Sequence, residues 1–272
     1  MVANKNFAAK ISLMKNLKFL LLIAFVAAFL PTTVAIPAPA SGQTQERIVQ
    51  QQHRRIFIIR HGQRPHEMDP GLSEIGRKQA QLVAERLKSD GFDGEIYASP
   101  YKRTVETAIP SARLMGKQIR LCPELQESTY KDGVPNTQGL TQKQLQEAYP
   151  SLVADVPVLP YPWVMSDNRG KVLKKNVEGG IKKILSETTK DVAIFTHGGQ
   201  VETAADILTK GTKTNLNFKA WNCFMCVFLV NPDGTFEFIG ATADFMPPEI
   251  ITDNAGKGIL GQKIPCVMPK EE

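Results

Sequence analysis

The sequence predicts an α/β fold of three layers, with a mostly parallel central sheet, helices on both faces and a C-terminal β-hairpin. Three observations carry that expectation. Ile56–Ile59 and Val192–Phe195 are short, continuous apolar runs, the pattern of strands buried on both faces. Helical patterns alternate with strand runs between them, which is the order of βα units. Cys223–Val230, the turn Asn231-Pro232-Asp233-Gly234 and Thr235–Ile239 read as strand, turn and strand. A chain of 272 residues with 42% hydrophobic and 22% charged content has ample material for one core.

The N-terminus comes first. Lys5, Lys10, Lys15 and Lys18 precede the twelve apolar residues Phe19–Leu30, and small residues follow around Ala35 and Ala40. This is the pattern of a secretory signal peptide over 1–35, cleaved after Ala35 or, as second choice, after Ala40. A membrane-spanning helix needs about 20 apolar residues, so the run is too short to span comfortably, and an uncleaved anchor is the competing reading. The expected location is therefore secreted or periplasmic, with no stable membrane span after cleavage. Removing 1–35 lowers Lys+Arg from 33 to 29 against 27 acids, so the net charge falls from +6 to about +2. The remaining balance gives no argument for nucleic acid as a partner. Residues 36–53, rich in Pro, Ala, Ser and Gln, read as a flexible linker. The folded domain is expected over 54–247, and 248–272 as a loose tail.

Within the domain, the Ile56–Ile59 strand ends at Arg60-His61-Gly62. A polar loop, Gln63–Gly71, leads to a helix with Ser73 as N-cap and Gly91 as its stop. Glu95–Ala98 is a short strand, followed by Ser99-Pro100 as cap and first helical position of a helix that carries Arg103. A further strand is expected over 119–125. Glu124–Gly139 is a long polar loop of the kind that often forms a functional lid. Residues 141–149 read as a helix, 150–162 as irregular, and 171–189 as a helix interrupted by Gly179-Gly180. Val192–Phe195 then ends in Thr196-His197-Gly198-Gly199, a second strand–His–Gly turn 136 residues after the first.

Ligands of open α/β sheets bind beyond the carboxyl ends of the strands, so Arg60, His61, Arg103 and His197 are expected on one rim. Two arginines and two histidines suit a tetrahedral oxyanion, because guanidinium forks match phosphate oxygens and stay charged. No Gly-rich Lys-Ser/Thr loop and no carboxylate cluster for magnesium are present in the sequence, so neither an ATP cradle nor a metal cofactor is expected. A neutral imidazole can serve as the nucleophile, and a lid acid can protonate the leaving group. Glu127, Asp132 and Glu124 are the candidates for that acid. Of the four cysteines, Cys223 and Cys226 lie in an apolar strand pattern and read as buried thiols, not a redox or zinc pair. Cys122 and Cys266 are left as candidates for a bridge.

These segments together resemble the histidine phosphatase superfamily, in the branch of cofactor-dependent phosphoglycerate mutases and related phosphatases. Arg60-His61-Gly62 resembles its signature, and Leu72–Ala80 its L-T-x-x-G-x-x-Q-A helix opening. Ser99-Pro100, Arg103 and Glu106-Thr107-Ala108 resemble S-P-x-x-R-x-x-x-T-A, Leu125-Gln126-Glu127 the acid segment, and Thr196–Gly199 the second histidine. The resemblance covers about 54–245. It implies a phosphohistidine on His61, with Arg60, Arg103 and His197 holding phosphoryl oxygens and Glu127 as proton donor. Gly62 and Gly198 would keep the site open. Gln63 stands where this branch often has Glu. Arg64-Pro65 is similar to the acid phosphatase branch, but Gly198 replaces the Asp which that branch has after its second histidine, and Arg64 is taken as an extra phosphate ligand. The leading expectation is an exported phosphatase acting on a small phosphorylated substrate. A mutase or phosphotransferase on the same chemistry and a catalytically silent phospho-ligand binding module are the alternatives. Oligomeric state is not legible.

Overall fold

The computed structural model describes residues 53–65, 71–127, 140–159, 169–210, 220–253, 256–259 and 266–267. The expected signal segment, the expected linker up to residue 52 and the candidate acid Asp132 lie outside them. The elements are β1 (Arg54–Arg60), α1 (Glu74–Ser89), β2 (Glu95–Ala98), α2 (Lys102–Met115) and β3 (Ile119–Leu121). Then come α3 (Gln142–Ala148), α4 (Gly170–Glu187), β4 (Val192–Thr196), α5 (Gly198–Leu208), β5 (Met225–Val230), β6 (Phe236–Thr242) and β7 (Cys266–Val267). None of these helices is long and apolar enough to cross a membrane.

The seven described strands form one sheet in the order β3-β2-β4-β1-β5-β6-β7. β3, β2, β4 and β1 run parallel, whereas β5, β6 and β7 are antiparallel to their neighbours. Every residue of β4, and Ile56 through Arg60 of β1, is buried. Alternate side chains of a strand point to opposite faces, so helices must cover both. The helices pack as two pairs, α1 with α2 and α4 with α5.

Local signals account for most boundaries. Ser73 caps α1 by accepting from Gly76 N, and Gly91 follows its last turn at φ +64°. Thr141 and Gln144 form a capping box at α3. Gly234, at φ +80°, closes the β5–β6 turn, where Asp233 Oδ1 accepts from Thr235 N at 2.9 Å.

Five expectations are corrected. α4 runs unbroken through Gly179-Gly180, and Gly180 is there for packing: a Cβ on it would lie 3.0 Å from Glu124 Cβ. The strand expected over 119–125 stops at Leu121 and turns into a 3-10 segment, Pro123–Leu125. Cys223 precedes β5 in a left-handed conformation, φ +56°, instead of opening the strand. The described residues after 247 are not loose: Ile251 and Ile259 are buried, and β7 pairs with β6. Finally, all four cysteines are free. Cys122 follows β3 and Cys266 lies in β7, at opposite edges of the sheet. Six strand spacings of about 4.8 Å separate those edges, far beyond the reach of a bridge.

Candidate active site

The parallel register decides how the histidines meet. Ile59 pairs with Phe195 and Arg60 with Thr196, so His61 and His197 are the next residues out on adjacent strands. His61 N donates to Thr196 O at 2.8 Å, and the two rings stand edge to face with centroids 5.4 Å apart. On the other side of β4, Ala98 pairs with Phe195, which brings Ser99 alongside. Three strand ends thus deliver Arg60-His61, Ser99 and His197 to one place, and α2 delivers Arg103.

Arg60, His61, Arg103 and His197 are all buried, with 2%, 4%, 2% and 0% exposure. Such burial of charged groups implies partners. Arg60 donates from one terminal nitrogen to Ala220 O. Burial lowers its guanidinium to about 10, so it stays charged at neutral pH. The Arg103 guanidinium lies over the Tyr101 ring at 4.4 Å, and one of its nitrogens is 3.4 Å from Glu127 Oε2. The same Glu127 oxygen is 3.4 Å from His197 Nδ1. His61 Nδ1 meets Gly62 O at 2.8 Å, which assigns its proton to Nδ1 and leaves Nε2 with a lone pair.

Burial, then the charges of Arg103 and Arg60, hold His61 well below the usual 6.5. Burial, Arg103, His61 and Arg60 do the same to His197. Both rings are neutral at neutral pH. A stability consequence follows from the sign. Below about pH 6.5 the unfolded chain binds protons at these histidines that the folded chain does not, so the unfolding free energy falls as pH drops. The loss is on the order of 1 kcal/mol per pH unit for each histidine. Denaturant unfolding from about pH 7 to about pH 5 should show it. A free energy constant over that range would mean the rings protonate in place.

The remaining candidates are distributed as follows. Gly62 N donates to Thr107 Oγ1 at 3.0 Å, and a Cβ on Gly62 would come within 2.8 Å of Gly76 O. Gly198 opens α5 beside Arg60, whose Nε would be 3.5 Å from an added Cβ. Arg64 is half-buried and adds to the positive field on both histidines, while one of its nitrogens donates to Pro65 O at 3.1 Å. Glu124 is turned away from the histidines: its carboxylate takes Lys183 Nζ at 3.0 Å and Cys122 Sγ at 3.2 Å. Ser99 is not the cap of α2, a position held by Tyr101; its hydroxyl lies 2.8 Å from His197 Nε2.

Several positioning residues have roles that the sequence does not show, although Gln79 and Thr196 stand within the quoted motif segments. Thr196 Oγ1 donates to Leu125 O at 2.7 Å and Gln200 Nε2 donates to Gln126 O, so the segment ending in Glu127 is tied to β4 and α5. Buried Gln79 accepts from Gln63 N at 2.7 Å and donates to Ile250 O at 2.6 Å, fastening the turn after His61 to the chain beyond 247. Glu106 accepts from Leu72 N at 2.5 Å and from the Tyr149 hydroxyl at 2.6 Å. Gln79 and Gln200 interrupt otherwise apolar helix faces, and that is the pattern which marks them.

A ring nitrogen of each histidine and a Glu127 oxygen lie within 4.8 Å of one another, a spacing a metal ion would accept. Two buried guanidiniums at the same place make a divalent cation unfavourable and an oxyanion favourable.

Comparison with known proteins agrees with this arrangement. Residues 56–238 match the sequence profile of the histidine phosphatase superfamily (branch 1). The chain is 22% identical over 180 residues to putative phosphoserine phosphatase 2 of Hydrogenobacter thermophilus, covering 63% of this chain and 85% of that protein. It is 32% identical over 104 residues to phosphoserine phosphatase 1 of the same organism, covering 35% and 47%. Identity to the ecdysteroid-phosphate phosphatase of Drosophila melanogaster is 29% over 160 residues, covering 55% and 21%. The chain therefore spans less than half the length of the last two. The native structure of a mycobacterial glucosyl-3-phosphoglycerate phosphatase shares the fold, with a TM-score of 0.50 at 20% identity over 69% of this chain and 97% of that one. The strand-end histidines, their arginines and the profile spanning most of the folded chain make this protein a member of the histidine phosphatase superfamily.

Proposed function

We propose that this protein is an exported, metal-independent phosphatase that hydrolyses small phosphomonoesters through a phosphohistidine on His61. The observation that carries the reading is the state of His61. It is buried, neutral, bonded through Nδ1 to Gly62 O, and flanked by two buried arginines. Nε2 attacks phosphorus, a new N–P bond forms, and the P–O bond to the leaving group breaks in line. Arg60, Arg103 and His197 hold the equatorial oxygens, with Arg64 at the edge, and offset the charge that develops there. Glu127 gives its proton to the leaving oxygen. It then takes one from the water that attacks phosphorus, which frees inorganic phosphate and restores the imidazole. Gly198 keeps a side chain out of the space beside Arg60, whereas Gly62, expected to do the same, instead lets the turn after His61 lie against Gly76. Some relatives matched in sequence carry phosphatase names, which supports hydrolysis, and others carry phosphoglycerate mutase names, which keeps a mutase on the same chemistry as the second reading. The export part of the reading rests on the sequence of residues 1–35.

The test is to catch the intermediate. The protein is mixed with an aryl phosphate in excess chelator, quenched in alkali, in which phosphohistidine survives, and mapped by mass spectrometry. Phosphate on the His61 peptide, attached at Nε2 and formed equally with chelator, is the expected result. Turnover that stops with chelator, or label on another residue, would overturn it.

A further inference from the structure

The second histidine needs a particular tautomer, and a buried serine sets it. If the phosphohistidine reading holds, His197 helps hold the phosphoryl group, and only a ring atom bearing a proton can donate to an anionic oxygen. His197 Nδ1 makes no hydrogen bond among the described residues and is the nitrogen that faces Glu127 Oε2, at 3.4 Å. Nε2 is turned the other way, to Ser99 Oγ at 2.8 Å. The ring and the hydroxyl are both fully buried, and Ser99 Oγ has no other hydrogen bond among the described residues.

Only two arrangements are open to a neutral ring. Either Nε2–H donates to Ser99 Oγ, or Ser99 Oγ–H donates to Nε2 and the ring proton sits on Nδ1. The first points a bare lone pair at the Glu127 oxygen and at any phosphoryl oxygen beside it. The second points an N–H at them. The Ser99 hydroxyl hydrogen has no other acceptor among the described residues, so the second arrangement pairs the hydroxyl and turns Nδ1–H towards Glu127 Oε2. We propose that Ser99 is a positioning residue that donates to His197 Nε2 and so fixes His197 as the Nδ1–H tautomer, aimed at the phosphoryl site.

The local chain explains why a serine can do this. Ser99 follows β2 directly and its backbone N–H donates to Phe195 O at 2.9 Å, so it sits level with the end of β4. Thr104 Oγ1 donates to Ser99 O at 2.6 Å, which fixes the backbone from the other side. Tyr101, edge-on to the His197 ring with centroids 5.2 Å apart, keeps that ring from turning over. The hydroxyl is thereby held at one place relative to Nε2. The two histidines end up alike: His61 is fixed as Nδ1–H by Gly62 O, and His197 by Ser99.

The experiment reads tautomers directly. The protein carries four histidines, so nitrogen-15 two-bond correlation spectra at neutral pH can be assigned with His61→Asn and His197→Asn. The expected result is an Nδ1–H signature for His197 in the wild-type protein. In Ser99→Ala the Nε2–H form becomes populated, and kcat/KM for an aryl phosphate falls about 10- to 100-fold, as for lost support of a phosphate-holding group. Ser99→Thr, which keeps a hydroxyl, should retain the Nδ1–H signature and most of the rate. An Nε2–H signature for His197 in the wild type overturns the proposal, and this measurement stands even if Ser99→Ala does not fold. So does a Ser99→Ala protein with unchanged tautomer and unchanged kcat/KM. Turnover that survives His61→Asn would sink the phosphohistidine reading alone, because the tautomer assignment does not use it.

Discussion

His61→Ala is expected to lower kcat for phosphomonoester hydrolysis by about 10⁴-fold or more, to the level set by what the remaining pocket does without a nucleophile. The substitution leaves Arg60, Arg103 and His197 in place, so inorganic phosphate should still bind. Binding without turnover separates loss of the nucleophile from loss of the fold. His61→Asn, which fills more of the buried space, should be equally inactive. Turnover within tenfold of wild type in either variant would assign the nucleophile elsewhere. The pH profile adds an independent check. The imidazole of His61 is held well below 6.5 by burial and by Arg103 and Arg60. Its lone pair is therefore available in mildly acidic solution, and kcat should show no acid limb centred near 6.5. A limb at that pH would mean that the ring titrates as it does in water.

The second large effect is a split between substrates in Glu127→Gln. An alkyl phosphate leaves as a strongly basic alkoxide and needs the proton that Glu127 supplies, so its turnover should fall by about 10²- to 10⁴-fold. An activated aryl phosphate leaves as a weakly basic phenolate and needs no proton. Its first step should survive, while the water step, deprived of its base, slows. The result is a burst of phenol equal to the enzyme present, then a slow phase with phosphohistidine accumulating. Glutamine keeps the shape of the side chain beside Arg103 and His197, both 3.4 Å away, so the effect reports on proton transfer. Equal losses for both substrates and no burst would remove Glu127 from the role, and Asp132→Asn is the variant to compare.

Much of the candidate site is legible in the sequence because its anchors are local. A short apolar run followed by Arg60-His61-Gly62, and another followed by His197-Gly198, specify strand ends within a few residues. The Ser73 cap and the Gly91 stop are likewise decided within one helical turn. What is not legible lies in contacts between distant segments. Gly180 reads as a helix breaker by propensity, yet the helix is continuous and the glycine lets α4 approach the Glu124–Leu125 turn. Chain beyond 247 looks loose by composition, yet Gln79 binds it through Ile250 O and Thr252 Oγ1.

The sequence by itself determined that this chain builds an α/β sheet and sends two histidines and two arginines to its carboxyl rim, because strand pattern and turn chemistry act over a handful of residues. The tertiary structure alone decided that β4 lies between β1 and β2, and so that His61, His197 and Ser99 are lateral neighbours. It alone decided where the segment ending in Glu127 lies, with Leu125 O accepting from Thr196 across 71 residues of chain and Gln126 O from Gln200 across 74. The physical reason is that strand order and hydrogen bonds of such separation depend on the packing of the whole sheet, which no local pattern encodes.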